Sequence, residues 1–438
     1  MAEERMKATR IVRKQPQHIQ EVKVEICVVG SGAAGVSAAI EAARAGHKVA
    51  LIDSSPMLGG QAVNSIIGTF AGLVSNGPDP YLFTYGIAED IIRELGPQGN
   101  IILRPLYNTV QYDEVALARW IDRTVRSLGI TVILGAVLRG AKIEGRRITS
   151  VELATRFGDV RLSANGFIDA TGDAALTWHA GLPCREPEEG PIYGTQVAVV
   201  EGINEEHYPE FQVLRDRMKE KADQYGLERY DGIVVLFPGR GTAVLNTTHV
   251  ETPLEPIAAS EKALEGKDRV DKTFNFLKHE FPLAFGQSRI RTYAFPGIRQ
   301  TRWIVGRHQL TAEEVRQGTY FSDSIARTAW PIELHNKMNG YLWEPFDVDH
   351  VHYIPLGSLT PPDVDNLAAA GRCIDADVVA LASVRVMGPC MATGAAAAHA
   401  LSLAGTGSVH EIDIAQLQQR LHDNLHRRDP FSKIVQNQ

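Results

Sequence analysis

The chain has only four cysteines in 438 residues, Cys27, Cys184, Cys373 and Cys390, and they stand far apart. The lack of a CxxC pair or zinc-like spacing argues against a redox dithiol, a structural zinc site and a disulfide-stapled secreted domain, so a reduced, cytoplasmic protein is expected. A long charge-free apolar run is also missing. The longest candidate, residues 386–405, is rich in alanine and glycine and contains Pro389 and His399, which suits a buried helix better than a membrane span. Net charge is −7 with the two signs well mixed. Without a basic, aromatic-interleaved stripe or a polybasic anchor, neither nucleic acid nor membrane is an expected partner. Repeats and low-complexity segments are absent. Residues 1–20 carry Arg5, Lys7, Arg10, Arg13 and Lys14 but no apolar core. They read as a flexible leader, not a secretory signal.

Against these absences stands one concentrated pattern. The apolar run Val24–Val29 leads into Gly30-Ser31-Gly32-Ala33-Ala34-Gly35, a helical pattern follows to Ala45, and Lys48–Ile52 ends at Asp53. Strand, glycine turn, helix, strand and carboxylate is the order that dinucleotide binding requires. Gly30 allows the tight turn, Gly32 lets backbone N–H groups approach a pyrophosphate, and Gly35 lets the helix lie close on the strand. The positive end of the helix then faces the phosphates, and Asp53 stands where a ribose can be held. The pattern occurs once. Gly239-Arg240-Gly241 lacks a following helix and reads as a hairpin loop, so a separate nicotinamide-cofactor domain is not expected.

Further along, Gly59-Gly60-Gln61 makes a second glycine turn. Helices are expected over 81–95 and 113–128, then a strand over 131–134 and a meander through 138–145, 147–154 and 159–163. A short buried strand over 166–170 ends in Thr171-Gly172-Asp173. From residue 190 strand-like alternation (195–200, 233–237, 242–246, 289–295) interleaves with charged helices (205–225, 258–279). Another helix opens at a capping box formed by Thr311 and Glu314. Residues 366–372 read as a core strand and turn, and Pro389–Leu403 as a helix of small residues.

The glycine turn, Gly59-Gly60-Gln61, Ala170-Thr171-Gly172-Asp173, and Ala370-Gly371-Arg372 before a small-residue helix together resemble the glutathione-reductase-like FAD-binding fold. Within it the chain resembles the single-FAD oxidoreductase family distantly akin to fumarate reductase flavoproteins. The resemblance covers the first ~175 and last ~70 residues, with an echo at Gly297-Ile298-Arg299-Gln300-Thr301-Arg302. It implies an α/β protein with a Rossmann-like FAD-binding domain built from both chain ends (21–189 and 361–425) and an inserted mixed α+β substrate domain (190–360). It also implies FAD contacts from Gly30, Gly32, Ala33, Ala34, Gly35, Asp53, Ser54, Gly60, Gln61, Val137, Thr171, Gly172, Asp173, Gly371, Arg372, Met387, Ala392 and Thr393. Asp375 or Asp377 is expected at the ribityl chain. The N-terminus of the small-residue helix is expected at the flavin's pyrimidine edge, where it would stabilise negative charge. Cys390, at that helix start, is either an inert buried thiol or a flavin attachment point.

On the substrate side, Arg299 and Arg302 are candidates to clamp a carboxylate, with Arg307 and His308 close behind in sequence. His335, in Trp330-Pro331-Ile332-Glu333-Leu334-His335, is the candidate base, because the family often has a histidine there. Tyr353 and His352 precede Gly357, where family members often carry a basic residue and this chain does not. The expected function is oxidation of a small organic molecule by hydride transfer to FAD, with electrons leaving to oxygen, a quinone or a carrier protein. A flavin-bearing subunit of a multi-subunit electron-transfer dehydrogenase and an RNA-modifying flavoprotein are the alternatives. Self-association into a homo-oligomer stays open.

Overall fold

A computed structural model describes residues 19–104, 106–188 and 190–436. Five short strands form a parallel sheet in the order Leu367–Ala369, Gly166–Asp169, Ile26–Val29, Val49–Asp53 and Thr131–Leu134. The two central strands are buried along their whole length, which explains why they read as unbroken apolar runs. Alternate residues face opposite cores. Ile26, Val28, Leu51 and Ile168 pack with the helices Ala33–Arg44 and Met387–Ala404. Cys27, Val29, Ala50 and Phe167 pack with Ile148, Val151, Leu153 and Leu162 of the meander Val137–Glu144, Arg147–Thr155 and Gly158–Ser163. The two helices on the first face meet closely, with Ser37 Oγ donating to Met391 O at 2.7 Å.

A second, antiparallel sheet has the order Ile233–Phe237, Thr242–Asn246, Ala198–Glu201 and Arg289–Tyr293. Helices Phe211–Tyr225 and Pro256–Glu280 cover it through Leu214, Met218, Phe274 and Leu277. The hairpin Ile332–Lys337/Gly340–Glu344 and the ladder Ser324–Thr328/His352–Pro355 lie between this sheet and the return to Leu367. The protein is thus a mixed α/β fold.

Several elements differ from expectation. Residues 1–18 of the expected leader lie outside the described residues, but Ile19–Lys23 is a strand paired in parallel with Gly158–Ser163. The expected helix over 81–95 begins only at Ile87, because Gly86 turns with φ +67° and Leu82 and Phe83 are buried in tertiary contacts. The expected helix 205–225 splits into a single turn, Glu205–His207, and Phe211–Tyr225, because Pro209 holds Tyr208 extended. Gly239–Gly241 is a hairpin loop between paired strands, and the Thr311 capping box forms with both of its hydrogen bonds. Among the described residues no single helix is long and apolar enough to cross a membrane, and Met387–Ala404 is a buried helix.

Candidate functional site

The carboxyl ends of the parallel strands open onto one large cleft continuous with solvent. Its floor is the first glycine turn. Gly30 has φ +99°, and a β-carbon there would lie 2.3 Å from Ala170 O. One on Gly35 would lie 1.8 Å from Gly30 O, so helix and strand touch through backbone. Gly32 is different: a β-carbon would meet no atom within 4 Å, because it points into the cleft. Gly32 is also the N-cap of Ala33–Arg44 and brings no side chain to the first N–H groups, which stay available to an anion.

Asp53 braces this turn. Its carboxylate accepts from Ser31 N at 2.6 Å, Ser31 Oγ at 2.7 Å and Ser55 N at 2.7 Å while still lining the cleft. The second turn leans on the first, since a β-carbon on Gly60 would stand 2.6 Å from Gly32 Cα. Gln61 Nε2 donates to Ile298 O at 3.0 Å, which ties the turn to residues 297–299. Thr171 Oγ1 accepts from Ala175 N at 2.8 Å. Asp173 receives Thr301 Oγ1 at 2.5 Å and Arg372 Nη2 at 3.4 Å. Gly371 N donates to Thr393 Oγ1 at 3.0 Å.

The cleft therefore gathers Gly30, Gly32, Ala33, Ala34, Asp53, Gly60, Gln61, Thr171, Gly172, Asp173, Gly371, Arg372 and Met387. Other expected contacts fall elsewhere. Gly35 is spent on helix–strand packing, and Ala392 and Thr393 are buried one layer back. Ser54 is exposed, and Val137, at a strand start, is 56% exposed; neither lines the cleft. Asp375 takes Arg185 at 2.9 Å and Gly306 N at 2.8 Å, and Asp377 caps the helix Val378–Val384, so both face away. Cys390 lines the cleft but donates to Arg385 O at 3.0 Å, and burial pushes its thiol up to about 12 against the pull of Arg372 and Arg385.

The far end of the cleft has its own character. Tyr107, Trp330, Tyr341 and Trp343 line it, with Trp343 4.7 Å from Tyr107 and 5.7 Å from Trp330 between ring centres. Arg299 projects there, donating from Nη1 to Tyr193 O at 2.8 Å, and among the described residues no salt bridge reaches it. Burial, then Arg385, push its guanidinium well below its ordinary value. Arg385 donates to the backbone carbonyl of Glu333 at 3.1 Å and leaves Nε buried without a partner among the described residues, as does Arg372 with Nη1.

Two expected substrate groups are elsewhere. Arg302 is outside the cleft, paired with Glu186 at 2.9 Å and stacked 4.1 Å over Trp178. His335 is 1% exposed and sits behind Glu333, which lines the cleft in its place and accepts from His335 or donates to it at 2.8 Å. Arg307 faces His410, and His308 faces Glu314. Glu333, Trp330, Tyr341, Trp343 and Arg385 were not singled out from the sequence as site residues. The i,i+2 alternation of Glu333 with His335, and of Tyr341 with Trp343, was the available signal that they share a strand face.

A cleft at the strand ends of an α/β sheet, floored by bare helix N–H groups and walled by glycine turns, defines a nucleotide-cofactor site. Its two half-buried guanidiniums, each with one buried nitrogen unpaired among the described residues, and the open space before Gly32 fit a diphosphate-bearing flavin nucleotide. A family model described as FAD dependent oxidoreductase matches residues 25–421. The chain belongs to that family: it is an FAD-dependent oxidoreductase, and its cofactor is FAD.

Curated relatives match over short stretches only. A zeta-carotene desaturase of Zea mays is 26% identical over 100 residues, 23% of this chain and 17% of the relative. A probable zeta-carotene desaturase of Synechococcus elongatus is 34% identical over 79 residues, 18% of this chain and 16% of the relative. The matched stretches thus span under a fifth of either relative. Among solved structures, a geranylgeranyl bacteriochlorophyll reductase-like protein from Thermoplasma acidophilum is 12% identical with a TM-score of 0.48, covering 95% of this chain and 86% of that one. The flavin-dependent brominase Bmp2 is 13% identical with a TM-score of 0.48, covering 92% and 83%.

Proposed function

We propose that the enzyme oxidises a small, carboxylate-bearing organic molecule held at the aromatic end of the cleft. The observation that carries this reading is Arg299, a buried guanidinium on the cleft wall with a backbone carbonyl as partner and no salt bridge among the described residues. A buried guanidinium that Glu333 and Asp231 reach only through space, without a salt bridge, is costly, and a carboxylate received in fork geometry offsets that cost. The aromatic rings of Trp330, Tyr341 and Trp343 would receive the apolar body of the same molecule.

FAD, when bound, supplies the two-electron acceptor that takes hydride from the substrate. Gly32, Ala33 and the first turn of Ala33–Arg44 would hold its diphosphate, Asp53 its ribose, and Arg372 with Met387 the flavin end. In this reading residues 21–189 and 361–425 form a glutathione-reductase-like FAD domain, and 190–360 a substrate domain. The protein's own part would be to receive the substrate's O–H or N–H proton, and the acceptor that reoxidises the bound flavin would be oxygen, a quinone or a carrier protein.

The test is anaerobic bleaching of the bound flavin against matched hydroxy acids, amino acids, and their esters and amides. Bleaching by the acids and not by the neutral analogues supports the reading. Equal bleaching by esters removes the carboxylate from it.

A further inference from the structure

Behind Glu333 runs an unbroken chain of hydrogen bonds into the protein. Glu333 Oε1 meets His335 Nε2 at 2.8 Å, His335 Nδ1 meets His249 Nε2 at 2.8 Å, and His249 Nδ1 meets Met338 O at 2.9 Å. The other carboxyl oxygen, Oε2, accepts from Trp330 Nε1 at 3.2 Å. Both imidazoles are 1% exposed and fixed by stacking, His335 on Tyr341 and His249 on Tyr193.

The far end of this chain is a carbonyl, which only accepts, so His249 Nδ1 carries a proton. A bridge with no proton would set two lone pairs face to face, so the two remaining bridges each need one as well. Three protons are required. Two neutral imidazoles supply two, and the third makes the set neutral overall instead of singly negative.

We propose that Glu333, His335 and His249 form a proton store opening on the cleft, in which Glu333 exchanges one proton with the substrate while the two histidines position it and hold the spare. The proposal rests on the aromatic end of the cleft being the substrate site. The charged and titratable groups facing the store are Arg299, Arg385, Arg229 with its partner Asp231, Arg269, Tyr193 and Tyr341. Burial and the arginines push the ionisation of both imidazoles down, which leaves the bridge on the cleft side as the place of the spare proton.

The balance runs as a cycle. With the spare proton released to water, the set would take the O–H or N–H proton of the substrate, while FAD, when bound, would supply the acceptor for the hydride of the substrate's C–H bond. The set returns to three protons and must discharge again before the next oxidation. Oxidation therefore accelerates as pH rises through the discharge of the store, and the reverse reaction slows.

Discharge also moves a proton within the set. Charged, His335 carries its proton on Nδ1; discharged, it carries it on Nε2 and donates to the carboxylate, so the bridge to His249 Nε2 loses its proton and the two rings must move apart. Nitrogen-15 NMR of histidine-labelled protein, with and without FAD, reads this tautomer change directly and needs no substrate.

The expected result is one ionisation that switches the His335 tautomer, with the same midpoint as the pH dependence of flavin reduction. Glu333→Gln should keep FAD binding and fold. Its amide donates to His335 Nε2 and fixes the Nδ1–H tautomer at every pH, while slowing flavin reduction about 10²–10⁴-fold. His249→Gln should displace both midpoints. A His335 tautomer constant with pH in the wild type, or one that still switches in Glu333→Gln, overturns the store. If the switch stands but no carboxylate donor bleaches the flavin, the proposed function fails and the store does not.

Discussion

Gly394 rests directly on Ala34, so that a β-carbon on Gly394 would lie 2.1 Å from the Ala34 carbonyl oxygen. This contact presses the helix near the end of the described chain onto the helix that follows the first glycine turn. Gly394→Ala must part the two helices, and overpacking of this kind costs about 1–3 kcal/mol or more when only backbone can yield. Thermal unfolding should show a clear fall in Tm, together with weaker FAD retention. An unchanged Tm would mean that the helices separate freely.

Asp53 holds the turn by accepting two hydrogen bonds from Ser31 and one from Ser55. A bond to an ionised acceptor contributes about 1.5–3 kcal/mol, and if about one such bond's worth of bracing is felt by the bound cofactor, Asp53→Ala should weaken FAD binding about 10- to 100-fold. Flavin fluorescence titration of the apoprotein measures this. Unchanged affinity would remove Asp53 from the cofactor site.

Arg299 and Arg302 are neighbours in sequence with opposite surroundings, which makes them a matched pair. Arg299→Ala should raise the apparent Kd of a carboxylate donor about 10- to 100-fold in rapid-reaction flavin reduction, with FAD still bound. Arg302→Ala removes the contacts with Glu186 and Trp178 outside the cleft, and should lower stability by about 1 kcal/mol while leaving donor binding as it was. Equal effects would contradict the placement of the cleft.

His352 is fully buried, and desolvation lowers its value from 6.5 to about 3. Its partners agree with a neutral ring. Ser383 Oγ donates to Trp330 O at 2.6 Å and so accepts from His352 Nε2 at 2.9 Å. Between pH 6.5 and about 3 the unfolded chain binds a proton here that the folded one does not. Stability from this group is therefore complete above 6.5 and falls by about 1.4 kcal/mol per pH unit below it. Urea unfolding across that range should show a slope that His352→Gln reduces.

Cys390 lies on the cleft wall with its thiol pushed up to about 12 and engaged with Arg385 O. Acid precipitation should release the flavin into the supernatant, and iodoacetamide at neutral pH should leave Cys390 unmodified in the folded protein. Flavin that stays in the pellet would instead identify a covalent link.

The cofactor end of the cleft was legible because its requirements are local. A positive φ at Gly30 and the close approach at Gly35 are met by glycine at fixed spacing, whatever the rest of the chain does. The capping box at Thr311 and the hairpin at Gly239 were readable for the same reason. The strand Ile19–Lys23 was not, since it is mostly exposed and lacks apolar alternation, and its partner lies about 140 residues away. The aromatic end of the cleft was equally hidden. Whether Glu333 or His335 faces the substrate depends on which of two residues on one strand face reaches past the other, and that is decided by His249 behind them.

The parallel sheet also sets an order of events during synthesis. Strand Gly166–Asp169 gains its second neighbour, Leu367–Ala369, only after about 200 further residues have been made. At roughly 5–20 residues per second, that edge stays bare on the ribosome for about 10–40 s. An unpaired, apolar strand edge is an invitation to the wrong partner. Slow or stalled translation between these two segments should therefore lower the soluble yield of this protein more than pauses placed before residue 160 or after residue 370.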